Sequence, residues 1–229
     1  LALAGDVARF AFAHGLFSRI ECGAGMCRES KKDVCLTANL NTRPGLFGRF
    51  CAALLGLCGW RVLFVPPATR KAVVIVYPHT SNWDFVVGIL ARFAVATPIG
   101  FIGKDTLFRP PFGALFRCLG GIPVNRRQST GFVDSLVEAF ARNESLYLAI
   151  APEGTRGKVD HWKSGFYRVA VAAGVPLGLA FIDYSRREVG IDAWRSLSGN
   201  EAEDMAGIRD YYSTKRGKHP EKEGDIRFR

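Results

Sequence analysis

Histidine and methionine are scarce in this sequence, four and two among 229 residues, and long apolar runs are absent. Uncharged stretches such as Phe50 to Trp60 and Val169 to Ile182 fall short of the about 20 apolar residues needed to span a bilayer, so no transmembrane helix is expected within it. The opening Leu1 to Ala4 is broken at once by Asp6 and Arg9, which makes a poor signal peptide. The six cysteines, Cys22, Cys27, Cys35, Cys51, Cys58 and Cys118, show no zinc-ligand spacing and have no histidine pair nearby. No phosphate-cradling glycine loop is present either, so neither a metal nor a resident cofactor is expected. Cys51, Cys58 and Cys118 lie in apolar surroundings and read as small core residues. Cys22, Cys27 and Cys35 either pair or remain thiols, as in a cytoplasmic protein.

At 48% hydrophobic and 12% aromatic, the chain can bury the core of one sizeable domain. Its formal charge of +10 favours a polyanionic partner: nucleic acid, an anionic membrane surface or a phosphate-bearing substrate. Plain solubilising charge is the competing explanation. A nucleic-acid reader would need a basic stripe with stacking aromatics or a known motif, and the basic residues here are scattered, so no nucleic-acid partner is expected.

Residues 1–44 have no clear period, and their structure is not legible. From residue 45 the pattern sharpens into one domain extending to residue 229. Leu46, Phe50, Ala53, Leu54 and Leu57 recur at helical spacing, flanked by Arg43, Arg49 and Arg61. This apolar helix suits core packing and a membrane interface equally well. Strands are predicted at Arg61 to Val65, Ala72 to Tyr77, Leu146 to Ala151 and Pro176 to Ile182. Helices are predicted from Trp83 to about Val95 behind the N-cap pair Ser81-Asn82, from about Gly131 to Arg142, and from Ser164 to a stop at Gly174. The alternation implies an α/β fold, a single domain with a largely parallel mixed sheet flanked by helices, and sites beyond the carboxyl ends of its strands. The tail from Lys215 to Arg229 reads as a solvated charged segment.

His79 follows a buried strand directly, and Asp84 stands five residues later across a tight turn. Such a carboxylate fixes the ring tautomer and raises its basicity, leaving the other nitrogen to accept a proton. It is the base and orienter of a triad without a nucleophilic serine or cysteine. A second polar cluster, Glu153-Gly154-Thr155-Arg156, stands at another strand end, where Gly154 permits close backbone approach and Arg156 can fork onto a phosphate or carboxylate. Arg126 and Arg127 follow an apolar turn beginning at Gly120, and Val175-Pro176 introduces the last strand.

These four segments, in this order, resemble the lysophospholipid (glycerolipid) acyltransferase superfamily, in particular the bacterial 1-acyl-glycerol-3-phosphate acyltransferases. The His-x4-Asp motif matches His79 and Asp84, an apolar stretch ending in arginine matches Gly121 to Arg126, Pro-Glu-Gly-Thr-Arg matches Pro152 to Arg156, and Val-Pro matches Val175-Pro176. The resemblance covers about residues 60–185. It implies that His79, held by Asp84, deprotonates the hydroxyl of a lyso-lipid, which attacks the thioester of acyl-CoA or acyl-carrier protein with no covalent acyl-enzyme. It also implies that Glu153, Gly154, Thr155 and Arg156 bind the acceptor's phosphate region, supported by Arg126. By its local sequence, and not by the resemblance, Lys104 either adds charge near the phosphate or the thioester oxygen or is simply an exposed lysine before an apolar loop. Three positions depart from the family pattern, Pro78, Asn125 and Ala151. All lie near the acceptor, so the acceptor is 1-acyl-glycerol-3-phosphate or another lyso-lipid such as a lyso-ornithine lipid. A lipid-binding module that has lost catalysis is disfavoured by the presence of His79, Asp84, Glu153 and Arg156.

The expected partners are thus a lyso-lipid, an acyl donor and an anionic membrane surface, met at the cytoplasmic face by a peripheral or monotopic protein. Arg109, Arg117, Arg126 and Arg127, interspersed with Phe108, Phe112, Leu115 and Phe116, suit a surface pressed into headgroups, at about 1 kcal/mol per basic group. A loop folded over the core is the other reading.

Overall fold

The computed structural model describes residues 44–124 and 131–229. The continuous apolar run after Arg70 becomes β2 (Lys71–Val76), a central strand whose Ala72, Val73, Val74 and Ile75 are all buried, as a strand covered on both faces requires. The other strands are β1 (Arg61–Phe64), β3 (Ile99–Lys104), β4 (Gly121–Val124), β5 (Leu146–Ile150), β6 (Leu177–Asp183) and β7 (Glu188–Arg195). They form one sheet in the order β1-β7-β6-β2-β5-β3-β4. Strands β2 to β6 run parallel, whereas β7 pairs antiparallel with β6 and parallel with β1. The result is the mixed, largely parallel α/β sheet that the alternation of elements implied.

Helices α1 (Leu46–Leu57), α2 (Trp83–Ala94), α3 (Gly113–Cys118), α4 (Phe132–Arg142), α5 (Gly165–Ala173) and α6 (Glu201–Tyr212), with short 3-10 helices at Asp105–Phe108 and Pro220–Lys222, complete the described elements. One face of the sheet, through Val73, Ile75, Leu148, Leu179 and Phe181, packs against Leu136 and Phe140 of α4, Phe166 and Val169 of α5, and Met205, Ile208 and Tyr212 of α6. The alternate residues, with Ile182 and Val189 fully buried, meet Leu55 of α1 and Val87 and Ala91 of α2 on the other face. The period-2 alternation of a strand assigns each residue to its layer.

Two sequence expectations are corrected, and of the two alternatives for the apolar stripe of α1 core packing is set aside. The stripe Leu46, Phe50, Ala53 and Leu57 faces outward, with Leu46 84% and Leu57 86% exposed. The buried stripe is Gly48, Cys51 and Leu55 instead. The cause lies at Gly48, where a Cβ would fall 2.6 Å from the Phe93 carbonyl oxygen, so α1 approaches α2 closely along its small residues. Cys51 is buried, but Cys58, in the turn after α1, and Cys118, on the last turn of α3, are exposed, because their apolar sequence neighbours face elsewhere.

The second correction concerns the tail. Lys215 is buried with its ammonium 3.7 Å from the Phe181 ring centroid, the Trp162 backbone N–H donates to the Arg227 carbonyl at 2.8 Å, and Phe228 packs at an angle on Phe166 and Tyr167. Alternation of Ile226 and Phe228 with charged residues lets one side of this segment pack while the other stays solvated.

The basic, aromatic segment after β3 folds partly over the core. Phe108 is buried, Phe116 packs on Phe108 and on Phe85 of α2, and Arg117 lies over the Phe108 ring. Arg109, Pro110, Pro111 and Arg117 remain exposed.

Candidate active site

Strand β2 lies between β5 and β6, so the loops leaving the carboxyl ends of these three strands converge. His79 follows β2, Glu153 follows β5 and Tyr184 follows β6. The turn from β2 into α2 is closed by Asp84 rather than by the expected N-cap side chains. Its Oδ2 accepts hydrogen bonds from the Thr80 and Ser81 amides, both at 2.8 Å. Asn82 makes no capping hydrogen bond, and Ser81 Oγ accepts from the Trp83 N–H at 3.2 Å. The carboxylate in the first turn of α2 therefore shapes its own loop and serves the positive end of the helix dipole.

The same Oδ2 stands 3.3 Å from His79 Nδ1, an ion-pair approach whose angle falls short of an aligned hydrogen bond. Catalytic contacts of this kind commonly tighten only when substrate is present. The tautomer that suits the carboxylate carries its proton on Nδ1 and leaves the Nε2 lone pair available on a partly exposed ring. Burial pushes the Asp84 carboxyl upward, but His79, the Ser81 amide and the Tyr184 hydroxyl outweigh it and hold the group below the ordinary carboxylate range.

Tyr184 completes this arrangement. Its hydroxyl donates to Asp84 Oδ1 at 2.9 Å, and its ring packs edge-on against Trp60. Burial and then the Asp84 charge push the phenol far upward, so it stays a neutral donor. The sequence reading missed this residue. A strand-end rule applied to the third central strand would have found it.

Glu153 is 2% exposed, and its carboxylate faces the protein. Oε2 accepts the His79 backbone N–H at 3.1 Å and Oε1 accepts the Gly224 N–H at 3.1 Å. Burial lifts its pKa to about 7; the two amides oppose the shift, and the Glu223 and Asp84 charges add to it. Gly154 adopts a left-handed conformation with φ +65°, and a Cβ there would lie 3.1 Å from Lys163 Nζ. Lys163 thus joins Thr155 and Arg156 as exposed polar groups around this turn, and it too escaped the sequence reading.

The structure brings His79, Asp84 and Glu153 together, Asp84 against the His79 ring and Glu153 on its backbone N–H, with Gly154 adjoining. Lys104 is exposed at the end of β3, two strands from β2, or about 10 Å across the sheet at the usual strand spacing. It shares the sheet edge with His79. Arg126 and Arg127 lie outside the described residues. Among the described residues, no cluster of histidine, cysteine and acidic side chains could hold a metal ion.

A histidine backed by a buried carboxylate, at the open edge of an α/β sheet with cations around it, is equipped to take a proton from a substrate and return it to a leaving group. That class of site agrees with the comparisons with known proteins. The acyltransferase family model matches residues 65–178, a span that includes His79, Asp84 and the 153–156 turn. The 1-acyl-sn-glycerol-3-phosphate acyltransferases of Salmonella typhimurium and Salmonella typhi are each 28% identical over 141 residues, covering 57% of this chain and 56% of theirs. The chain therefore spans little more than half the length of these curated relatives. The crystal structure of the 1-acyl-sn-glycerophosphate (LPA) acyltransferase from Thermotoga maritima shares the fold, with a TM-score of 0.51 at 19% identity, covering 75% of this chain and 80% of that one. The chain belongs to the acyltransferase superfamily.

Proposed function

We propose that this protein is an O-acyltransferase of phospholipid synthesis that moves a fatty acyl chain from acyl-CoA or acyl-carrier protein to the hydroxyl of a lyso-phospholipid, with 1-acyl-glycerol-3-phosphate as the leading acceptor. The observation that carries this reading is the contact of His79 Nδ1 with the buried Asp84 carboxylate at the end of β2. In this mechanism Nε2 of His79 removes the acceptor hydroxyl proton as the oxygen attacks the thioester carbonyl. The carbon–sulfur bond breaks, an ester forms, and the departing thiolate takes the proton back from the imidazolium. Asp84 stabilises the transient positive ring.

Glu153, held by two amides, builds the loop rather than meeting the acceptor, while Gly154, Thr155 and Arg156 offer the surface for its phosphate. Arg156, Lys104 and Lys163 supply cations, with Arg126 added by the family resemblance. The domain runs from residue 45 to 229, with the motif-bearing core at 60–185.

The acceptor is a lipid, so the site works against a bilayer. Among the described residues no helix is long and apolar enough to cross a membrane. The exposed Leu46, Phe47, Phe50 and Leu57 of α1 support an interfacial attachment, peripheral or monotopic, on the cytoplasmic side where the acyl donors reside.

The test is transfer of labelled acyl chains from acyl-CoA to a panel of acceptors that includes 1-acyl-glycerol-3-phosphate and a lyso-ornithine lipid. Product is expected with the lyso-phosphatidate, and His79→Ala should lower kcat by roughly 10³-fold or more. Retention of transfer by His79→Ala rules out this mechanism, and absence of transfer to every acceptor rules out the function.

A further inference from the structure

His79 sits in residues 77–82, a connection between β2 and α2 without regular secondary structure. Its position therefore has to be supplied by neighbours, and most of these are gripped by one distant segment of the chain. After α6 the backbone returns across the sheet edge. The Arg216 carbonyl accepts the Tyr184 N–H at 2.9 Å, and the His219 N–H donates to Thr80 Oγ1 at 3.1 Å. The Gly224 N–H reaches Glu153 Oε1 at 3.1 Å, while the Gly224 carbonyl accepts the Tyr77 hydroxyl at 3.1 Å. Gly217 lies directly on the loop, since a Cβ there would come within 2.7 Å of Thr80 Oγ1 and 3.1 Å of Pro78 Cβ. Glu223 closes the segment on itself by accepting the Gly217 N–H at 2.7 Å.

Three of the four residues held in this way hold the His79–Asp84 pair directly, and the fourth closely precedes it in the chain. Glu153 accepts the His79 N–H, Thr80 donates its N–H to Asp84, Tyr184 donates its hydroxyl to the same carboxylate, and Tyr77 is two residues before His79. We infer that residues 216–224 form a positioning brace for the His79–Asp84 pair, with Gly217 and Glu223 as its positioning residues. This rests on the acyl-transfer reading for its kinetic consequence but not for its structural one. The brace touches no reacting atom. It acts by fixing the distance and angle between imidazole and carboxylate, where a displacement of about 1 Å can cost on the order of 10²-fold in rate. The far end of the same tail, where Phe228 packs on Phe166 and Tyr167, lies against α5 and contributes stability without touching the loop.

The experiment compares Gly217→Ala, Glu223→Ala, Glu223→Gln and Phe228→Ala in the full chain. It reads kcat and KM with 1-acyl-glycerol-3-phosphate, the melting temperature, and the ring signals of histidine-labelled protein by NMR, His79 being assigned from its absence in His79→Ala. Gly217→Ala wedges the brace off Thr80 and Glu223→Ala opens its closure. Each is expected to lower kcat by roughly tenfold or more, to leave KM within about twofold, and to move the His79 signal. Glu223→Gln keeps an acceptor for the Gly217 amide and is expected to restore both readings. Phe228→Ala is expected to lower the melting temperature with kcat and the His79 signal unchanged. The inference is overturned if folded Gly217→Ala and Glu223→Ala keep the wild-type kcat and His79 signal, or if Phe228→Ala loses kcat in the same proportion to its melting temperature. Should Gly217→Ala fail to fold, Glu223→Ala against Glu223→Gln decides alone. If wild-type protein transfers no acyl chain, the function fails while the NMR comparison still decides whether the brace sets the ring.

Discussion

Tyr184 and Glu153 reach the His79–Asp84 pair from opposite sides, and each is testable by a single atom change. Tyr184→Phe removes the hydroxyl that donates to Asp84 Oδ1 and leaves the ring on Trp60. A hydrogen bond to an ionised group contributes about 1.5–3 kcal/mol, and the carboxylate left behind is buried, so urea unfolding should show a loss of that order. With the carboxylate less firmly held, kcat should fall by roughly tenfold while KM changes little. Wild-type stability together with wild-type kcat would mean that the bond is not made in solution. Glu153 carries the opposite electrostatic sign. Its folded pKa of about 7 lies above its ordinary value of 4.5, so it favours the folded state at pH below 4.5 and loses that contribution as the pH rises through 7. The stability difference between wild type and Glu153→Gln should therefore shift against the wild type by on the order of 3 kcal/mol between pH 4.5 and pH 8, read by urea unfolding at each pH. A difference that stays flat with pH would show that the carboxyl is not buried as described. His79 and Asp84 were legible in the sequence because both lie within eight residues of the end of an unmistakable strand, one in the turn and one at the start of the next helix. Tyr184 was not, since it stands 100 residues from Asp84 and only the parallel pairing of β6 with β2 brings it near.

Elements buried on both faces announced themselves, and elements buried on one face did so unevenly. β2, β5 and β6 were readable as unbroken apolar runs, and α5 by its stop at Gly174, which adopts the expected left-handed cap. β7 was missed because Glu188, Asp192 and Arg195 interrupt it, although Glu188 is held by Arg61 at 2.5 Å and Asp192 accepts the Tyr211 hydroxyl. α6 was missed because its buried side is three residues, Met205, Ile208 and Tyr212, in an otherwise acidic stretch. In α1 the helical period is legible in the sequence and its direction is not. The larger apolar side chains point outward, because close packing on α2 requires the small ones. This outward face sets the element's own test. Phe50→Glu with Leu57→Glu replaces two exposed side chains, so the melting temperature should stay within about 2 °C of wild type. Sedimentation with anionic vesicles should fall sharply, while turnover of acceptor dispersed in detergent persists. Undiminished sedimentation would remove α1 from the membrane contact.

For the molecule as a whole, the net charge of +10 and the apolar face of α1 are the two features on which the proposed membrane attachment rests, and ionic strength separates their contributions. Each basic side chain near an anionic surface contributes about 1 kcal/mol, and that contribution decays over a Debye length of about 10 Å at 0.1 M salt and 3 Å at 1 M. Apolar insertion is not screened and is modestly strengthened by salts that are excluded from protein surfaces. Wild-type protein should therefore pellet with anionic vesicles at low salt and be released in large part by about 0.5 M sodium chloride, whereas zwitterionic vesicles should retain a smaller fraction with little salt dependence. The Phe50→Glu, Leu57→Glu protein should lose the salt-insensitive fraction and keep part of the sensitive one, weakened by its two added negative charges. If wild-type protein ignores anionic vesicles at low salt, the positive charge belongs to solubility alone. The lipid acceptor would then have to reach His79 by another face.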